Sequence, residues 1–323
     1  MGKILIENIK DLRKENDLTQ ADLADSSEIN LSTIKQIESG RTETSLENMK
    51  NIARSLKTEL KNIYLENYRE TKIITVCSNK GGAGKSTLVG NLGYSLNKLN
   101  YKVLLIDTDM QMNLSNTYGY EEDIENSIYA AIGKEEEISK YIKTTDYEGI
   151  DIVISDYEMA TSEMLLFTKE VRETVIKRML DKIINEGLYD FIIFDTQSHL
   201  GLVNLNCMSV SQYGLVPVEL SSYGIKGVQT LMKFIEKRVH KVNPEFKIIG
   251  VVPNRVDNRE NMTGDSIDVL KAVFGDVITK TFIPVDAQVK KSQWDDVPLQ
   301  IFDKSSRASK AYEQLAREVI KIV

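Results

Sequence analysis

The spacing of apolar residues divides the chain into two unlike parts. Up to about residue 66, apolar residues recur at helical spacing and no run has the composition of a strand. Later in the chain, short apolar runs alternate with helical patterns, which is typical of a parallel sheet with crossover helices. The predicted strands cover residues 73–77, 103–106, 150–154, 191–194, 213–218, 248–252 and 279–283. We therefore expect a small all-α domain over residues 1–66, a connector over 67–71 and a mostly parallel α/β domain over 72–323.

The all-α part is predicted to contain several short helices. Thr19 can cap one of them, because its hydroxyl can accept a free N–H of the first turn. Gly40 can end another, since glycine tolerates the left-handed conformation that often follows a helix. Short helices separated by a tight turn favour a helix-turn-helix. The predicted helices cover residues 4–14, 20–25, 32–39 and a stretch that begins at Ser45.

A glycine-rich loop, SNKGGAGKST at residues 78–87, lies between a predicted strand and a predicted helix. Glycines let the backbone approach phosphate oxygens, and the helix N-terminus adds partial positive charge. In such a loop Lys85 would reach the β- and γ-phosphates, and the Ser86 hydroxyl would bind Mg²⁺. The predicted phosphate-binding residues are Gly81, Gly82, Ala83, Gly84, Lys85, Ser86 and Thr87.

Two predicted strands end in carboxylates. The run VLLIDTD ends in Asp107 and Asp109, and the run FIIFD ends in Asp195. Ligands of parallel sheets bind beyond the carboxyl ends of the strands, so we expect these side chains near the phosphate-binding loop. An aspartate after an apolar strand is the Walker B pattern, in which Asp195 would hold Mg²⁺ through a water molecule.

Charge and composition restrict the partners that the chain can bind. Its formal net charge is −7, so any contact with DNA must come from a local patch or a shaped module. Cys77 and Cys207 lie in apolar contexts and fit no metal motif, and we expect free buried thiols. No apolar run approaches the length of a membrane span, and the N-terminus lacks a signal-peptide pattern. We therefore expect a cytoplasmic protein.

A second lysine, Lys80, precedes the glycines, so the loop reads KGGAGKST. With its flanking strand and helix, this loop resembles the deviant Walker A box of the ParA/MinD family of ATPases. The resemblance implies an ATP- and Mg²⁺-dependent enzyme that hydrolyses ATP slowly. It also implies that Lys80 reaches across a dimer interface to the partner's nucleotide, and that Lys80, Lys85 and Asp109 are the catalytic residues.

Three further segments resemble parts of the same family. The stretch from Asp107 to Ser115 resembles its switch I, in which Asp109 would orient or deprotonate the attacking water and Asp107 would support the metal or the loop. Met110 stands where the family usually has proline. The segments IGVVPNRVD and FIPVD resemble those that bracket the adenine. The implied contacts are the amide of Asn254 and, mainly through backbone, Pro284, Val285 and Asp286.

The run from Leu12 to Leu56 resembles the Cro/C1-type helix-turn-helix family. The resemblance implies that the third helix lies in the major groove, where polar side chains can bond base edges or phosphates. Acidic residues of the second helix leave an alternative open, a helical cap or dimerisation module with no role in DNA binding. The predicted DNA-binding residues are Gln20, Asn30, Ser32, Thr33, Lys35, Gln36 and Arg41.

The C-terminal stretch, SSRASKAYEQLAREVIKIV, resembles the ParA branch, whose dimers carry sequence-independent DNA contacts in this region. A scatter of charges is also typical of a solvated surface. MinD-type relatives end instead in a basic amphipathic membrane helix, whereas the last apolar face here is predicted to pack on its own domain, so we expect no membrane binding. The candidate contacts are Lys271, Lys290, Lys291, Arg307 and Lys310.

Together the resemblances predict a DNA-partition ATPase that dimerises on ATP and binds DNA according to its nucleotide state. Such a protein would also repress its own operon and bind a centromere-binding partner protein at the nucleoid. The alternative is an ATP-sensing helix-turn-helix transcription regulator with no role in partition.

Overall fold

The chain forms two compact units in the computed structural model, which describes residues 2–42, 44–65, 68–257 and 263–323. One unit contains residues 1–70 with 186–188, and the other contains 71–185 with 189–323. The predicted connector begins at Asn67, which lies outside the described residues, as does Glu66, the predicted end of the first domain.

The first unit is built from helices around one apolar core. Its elements are β1 (Lys3–Ile4), α1 (Ile6–Glu15), α2 (Gln20–Ser27), α3 (Leu31–Glu38), α4 (Leu46–Ser55), a turn of 3₁₀-helix (Leu60–Asn62) and β2 (Tyr64–Leu65). Its largest fully buried side chains are Ile9, Leu23, Ile34, Ile37, Met49, Ile52, Leu56 and Ile63.

The predicted capping residues of this unit are confirmed, but the first helix begins at Ile6, because Ile4 lies in β1. The Thr19 hydroxyl accepts the N–H of Asp22 at 3.1 Å, and the Asp22 carboxylate accepts the N–H of Thr19 at 2.8 Å. The Ser45 hydroxyl accepts the N–H of Asn48 and so caps α4, and Gly40 follows α3 with a φ of +72°. The expectation that this part has no strand is wrong, because β1 pairs antiparallel with β2. Two-residue strands are too short to show a period of two in the sequence.

The second unit contains an eight-stranded sheet, which confirms the predicted α/β fold. The strand order is β10-β9-β8-β3-β7-β4-β6-β5, and the pairs are parallel except that β5 runs antiparallel to β6. The phosphate-loop strand β3 is central, between β7 and β8. The strands are β3 (Lys72–Val76), β4 (Val103–Asp107), β5 (Lys143–Thr144), β6 (Ile150–Val153), β7 (Phe191–Asp195), β8 (Tyr213–Glu219), β9 (Lys247–Val256) and β10 (Ile283–Pro284).

Helices cover both faces of this sheet, so its central strands β3, β4 and β7 are almost entirely buried and mostly apolar. The C-terminal helix buries its predicted apolar face, including Leu315 and Val319. The helices are α5 (Lys85–Asn97), α6 (Asn113–Thr117), α7 (Ile128–Lys134), α8 (Ser162–Phe167), α9 (Val175–Glu186), α10 (Leu202–Val210), α11 (Ser222–Phe234), α12 (His240–Val242), α13 (Thr263–Phe274), α14 (Ala287–Trp294), α15 (Leu299–Phe302) and α16 (Arg307–Ile322).

Two edges of the sheet differ from the sequence-based expectation. The strand predicted at 279–283 is reduced to β10, with a single bridge from Ile278 to Val251 beside it. The other edge strand, β5, was not among the predicted strands. No helix in the described part of the chain is long and apolar enough to cross a bilayer.

Candidate functional site

The loop between β3 and α5 has the backbone that phosphate binding requires. Gly82 and Gly84 have φ values of +75° and +88°, a region that glycine enters at little cost. Gly84 directly precedes α5, and its carbonyl accepts the N–H of Leu88 at 2.9 Å. A Cβ on Gly84 would overlap Nδ2 of Asn254, whose amide would have to move, and the positive φ also favours glycine here. The loop therefore presents the free N–H groups of a helix start to a ligand.

A cavity of about 430 Å³ opens beside this loop. The segment 109–115, called here the switch segment, contributes Asp109, Gln111 and Asn113 to its wall. This segment and the phosphate-binding loop thus share one cavity, as predicted from their places at strand ends. The loop side of the wall contains Gly81, Gly82, Gly84, Lys85, Ser86 and Thr87.

The ammonium group of Lys85 is held inside the site. The residue is 5% exposed, and its Nζ donates to the Ser198 hydroxyl at 2.8 Å. Ser198 lies on the loop that follows β7, so Lys85 connects the phosphate-binding loop to the end of the Walker B strand. A lysine with one neutral hydroxyl as its partner keeps most of its donor capacity for an anion.

Asp195 offers a buried carboxylate to a cation. The residue has no exposed surface, and neither of its carboxylate oxygens has a hydrogen-bond partner in the described part of the chain. Burial, reinforced by the charge of Asp107, raises the pKa of Asp195 well above its ordinary value; the nearby Ser86 hydroxyl opposes this rise without reaching hydrogen-bonding geometry. An orphaned carboxylate beside a serine hydroxyl fits Mg²⁺, which takes few protein ligands and completes its shell with phosphate and water.

Asp107 holds the switch segment. Its Oδ1 accepts the N–H of Asp109 at 3.0 Å, and its Oδ2 accepts the N–H and the hydroxyl of Ser115 at 2.9 and 2.7 Å. Burial raises the pKa of Asp107 to about 6, even though these hydrogen bonds lower it. Of the two roles expected for Asp107, these contacts favour support of the loop.

A second cavity, of about 320 Å³, adjoins the first and contains the residues predicted to contact a base. Asn254 donates from Nδ2 to the Ala83 carbonyl at 2.7 Å, and its Oδ1 accepts the N–H of Arg255 at 3.0 Å. Each amide atom of Asn254 therefore keeps one further hydrogen-bonding position. The Asp286 carboxylate accepts the N–H groups of Gln288 and Ala308, and its carbonyl accepts the N–H of Val289. Pro284 and Val285 line the same wall.

Lys80 does not stand free beside the loop. Its ammonium pairs with the Glu219 carboxylate at the end of β8, and Glu219 also accepts from Nη1 of Arg255 at 3.0 Å. The hydrogen bond from Lys80 lowers the pKa of Glu219. Two cations and one carboxylate thus meet where the two cavities join, since Arg255 lines both of them.

The predicted DNA-binding side chains of the first unit are mostly on its surface. Asn30, Ser32, Lys35, Gln36 and Arg41 are exposed, and Thr33 is half-buried. Gln20 is different, because its amide donates to the Glu38 carboxylate at 2.8 Å. In this structure Gln20 therefore supports α3 from within the unit.

Comparison with known proteins identifies both parts of the chain. A family model described as an AAA domain matches residues 71–248, and a helix-turn-helix model matches residues 9–62. The sporulation initiation inhibitor protein Soj of Bacillus subtilis is 31% identical over 249 residues, which cover 77% of this chain and 98% of Soj. The chain belongs to the ParA/MinD family of ATPases.

Other members of the family agree with this assignment. The chromosome partitioning protein ParA of Caulobacter vibrioides is 28% identical over 250 residues, covering 77% of this chain and 94% of that protein. The septum site-determining protein MinD of Pyrococcus horikoshii, solved with Mg-ADP, matches with a TM-score of 0.63 at 23% identity. That match covers 78% of this chain and 96% of the MinD chain, and it shows the common fold.

Several residues of the ParA/MinD-type site were not expected from the sequence. Ser198, Glu219 and Gln293 carry no local motif, and Arg255 lies inside the segment IGVVPNRVD, where only Asn254 has a predicted role. Gln293 donates to the Thr87 hydroxyl at 2.8 Å and so connects α14 to the phosphate-binding loop. Arg255 and Glu219 could have been predicted as site residues, because each lies at the carboxyl end of a strand, where ligands of such sheets bind.

The basic residues proposed from the ParA resemblance lie on α13, α14 and α16. Lys271, Lys291 and Lys310 are exposed. Lys290 is exposed and lines the second cavity, and the Arg307 guanidinium donates to the Val285 carbonyl at 3.0 Å. Lys290 and Arg307 therefore lie beside the second cavity, which contains the residues predicted to contact a base.

Proposed function

We propose that this chain is a DNA-partition ATPase that binds Mg-ATP at residues 81–87, dimerises on ATP and binds DNA according to its nucleotide state. The observation that carries the proposal is the loop with two lysines, Lys80 and Lys85, in a chain whose relatives include the partition protein ParA. The helix-turn-helix model over residues 9–62 supports a second, sequence-specific contact with DNA, through which the protein would repress its own operon.

Each site residue has a role in this proposal that its surroundings support. Lys85 and the loop N–H groups bind the β- and γ-phosphates, and Asn254 with residues 284–286 holds the adenine. Asp195 and the Ser86 hydroxyl hold Mg²⁺, which supplies charge neutralisation on the phosphates when it is bound. Asp109, on the cavity wall, orients the attacking water and accepts its proton.

Lys80 links hydrolysis to dimerisation in this proposal. In the separate chain it pairs with Glu219, at the edge of the nucleotide cavity. When two subunits close face to face, Lys80 leaves that pair and contacts the partner's phosphates. Hydrolysis converts ATP to ADP and inorganic phosphate, and release of that phosphate removes part of the negative charge that holds Lys80 across the interface, so the dimer reopens and releases DNA.

We also propose that this chain binds a centromere-binding partner protein and associates with the nucleoid. Partition requires a specific DNA site, which the partner protein binds, and non-specific DNA, which the nucleoid provides. The exposed basic residues Lys271, Lys291 and Lys310 are the candidates for the non-specific contacts. Lys290 and Arg307 are further candidates for these contacts. Arg307 also donates to the Val285 carbonyl in the wall of the second cavity.

The second candidate function is an ATP-sensing transcription regulator. The observation that favours it is the exposed polar face of α3, which suits sequence-specific readout and is not needed for non-specific binding. The neighbouring genes separate the two functions. A small basic centromere-binding protein and repeated DNA sites beside the gene support partition, whereas their absence supports regulation alone.

The Asp109→Ala variant tests the proposed cycle. We expect it to bind ATP like the wild type and to hydrolyse ATP at least about 100-fold more slowly. It should therefore accumulate as an ATP-bound dimer, which size-exclusion chromatography detects. Glu121→Ala, which removes an exposed acidic residue outside the cavity, is the matched control and should behave like the wild type. Normal turnover in the Asp109→Ala variant would rule out the proposed role of this carboxylate.

A further inference from the structure

Both ends of the switch segment are bound by one buried side chain. Asp107 accepts the N–H of Asp109 at one end and both the N–H and the hydroxyl of Ser115 at the other, at 2.7 to 3.0 Å. Neither Asp107 nor Ser115 has any exposed surface. Hydrogen bonds to a carboxylate in such surroundings are stronger than those between neutral groups. Asp107 therefore fixes how far apart the ends of the switch segment lie.

Ser115 also connects the segment to the next strand of the sheet. Its Oγ accepts the N–H of Ser155, just beyond β6, at 3.1 Å while donating its own proton to Asp107. On the other side of β4, Thr108 donates from both its N–H and its hydroxyl to the Asp195 carbonyl, at 3.0 and 2.7 Å. Ser115 at the end of the switch segment and Thr108 just before its start are thus bound to the strands on either side of β4.

Residues 110–112 of the segment are exposed or half-buried and have few restraints of their own, whereas Leu114, in α6, is fully buried. The internal hydrogen bonds of the segment go to Asp109, whose Oδ1 accepts the N–H of Gln111 and whose carbonyl accepts the N–H of Met112. Met110 is 44% exposed, and unlike proline it leaves φ free to vary. The place of Asp109 on the cavity wall therefore depends on the two bound ends of the segment more than on packing of residues 110–112.

We propose that Asp107 and Ser115 are positioning residues for Asp109: they hold the switch segment so that the Asp109 carboxylate faces the cavity. Neither residue lines that cavity, so both act through Asp109. This inference rests on the proposed function for its effect on hydrolysis, but its structural part concerns the segment alone.

The Ser115→Ala variant tests the proposal, and Ser155→Ala is its matched control. The Ser155 hydroxyl is buried and has no hydrogen-bond partner in the described part of the chain, and its N–H remains in the alanine variant. Both variants remove one buried hydroxyl, but only Ser115→Ala breaks a hydrogen bond of the switch segment. Thermal unfolding of both variants checks that each still folds.

The first readout is hydrogen exchange of the backbone N–H groups of residues 109–115, measured without nucleotide. We expect exchange to be about tenfold faster in Ser115→Ala and unchanged in Ser155→Ala. The second readout is ATP hydrolysis, where we expect kcat to fall about 10- to 100-fold in Ser115→Ala with little change in KM. In the Asp109→Ala background the same substitution should have no further effect on kcat, because its action passes through Asp109.

The proposal is overturned if exchange at residues 109–115 is the same in Ser115→Ala as in Ser155→Ala. It is also overturned if Ser115→Ala lowers kcat further when Asp109 is already alanine. If the wild-type protein hydrolyses no ATP, the proposed function fails, while the exchange measurement still decides whether Asp107 and Ser115 hold the segment.

Discussion

At the scale of single residues, buried or paired charges define the nucleotide site. Lys85 is almost fully buried with a serine hydroxyl as its partner, and Asp195 is fully buried with both oxygens unpaired among the described residues. A charge in such surroundings costs free energy unless a ligand compensates it. The arrangement is therefore that of a site made to receive phosphate and a divalent cation together.

Replacing Lys85 by alanine should abolish most nucleotide binding. The variant loses a charged donor inside the cavity, and a charge-assisted hydrogen bond contributes about 1.5–3 kcal/mol, so we expect affinity for ATP to fall about 10- to 100-fold. Isothermal titration with Mg-ATP measures the change. Lys98→Ala, which removes a partly exposed lysine at the other end of α5, should leave affinity unchanged. Equal affinities in the two variants would contradict the assignment.

At the scale of elements, the first unit depends on one buried ion pair among α1, α2 and α3. Arg13 donates from Nε and Nη2 to the Glu38 carboxylate at 2.7 and 3.1 Å, and Gln20 adds a bond at 2.8 Å. Burial alone would raise the pKa of Glu38, but the hydrogen bonds from Arg13 and Gln20 outweigh it and lower the pKa below its ordinary value. The proposed recognition helix α3 is thereby fixed to the helices around it.

The Glu38 pair should make this unit sensitive to acid. A carboxylate whose pKa is lowered by folding contributes stability that is complete above its unfolded value, about 4.3, and is lost as the pH falls through the folded value. We expect Glu38→Gln to destabilise the unit by about 1–3 kcal/mol at pH 7 and by progressively less below about pH 4. Helical circular dichroism during thermal unfolding measures this, because the chain's one tryptophan, Trp294, lies in the other unit. A difference that stays constant from pH 7 to pH 3 would contradict the prediction.

The face of α3 should determine sequence-specific DNA binding. Lys35 and Gln36 are exposed there, and removing a side chain that bonds a base or a phosphate weakens the binding free energy by about 1–3 kcal/mol. We expect Lys35→Ala with Gln36→Ala to weaken binding to the protein's own promoter at least tenfold and to leave ATP hydrolysis unchanged. Lys50→Ala on α4 removes an exposed lysine outside α3 and serves as the control. Unchanged promoter binding in the double variant would support the alternative of a helical module without a DNA role.

Sequence patterns predicted the helices and the phosphate-binding loop well where neighbouring residues determine the structure. Thr19 and Gly40 act within one helical turn, and the phosphate-binding loop is a contiguous run with its own chemistry. The pairing of β1 with β2 joins residues about sixty positions apart, so no local pattern reports it. The same holds for Glu219, whose partners Lys80 and Arg255 come from the ends of two other strands. Asp107 ends β4, where the sequence places it, but its three hydrogen bonds to Asp109 and Ser115 depend on the folded loop and could not be predicted from the sequence.

At the scale of the whole molecule, one chain combines a helix-turn-helix unit with a ParA/MinD-type ATPase unit. A chain with a net charge of −7 does not bind DNA through bulk electrostatics, so any DNA contact must depend on the local surfaces named above. In the proposed cycle ATP brings two subunits together, which doubles every basic patch and pairs two recognition helices. DNA affinity would therefore follow the nucleotide state, and this coupling is the central claim of our account.

Binding of the purified chain to random duplex DNA, measured without nucleotide, with ADP and with ATP across a series of salt concentrations, tests that claim most directly. We predict tight binding with ATP alone, a steep loss of affinity with rising salt, and no such binding by the Lys85→Ala variant. Affinity that is the same in all three nucleotide states would contradict the account and would leave a regulator that binds DNA through its helix-turn-helix unit alone.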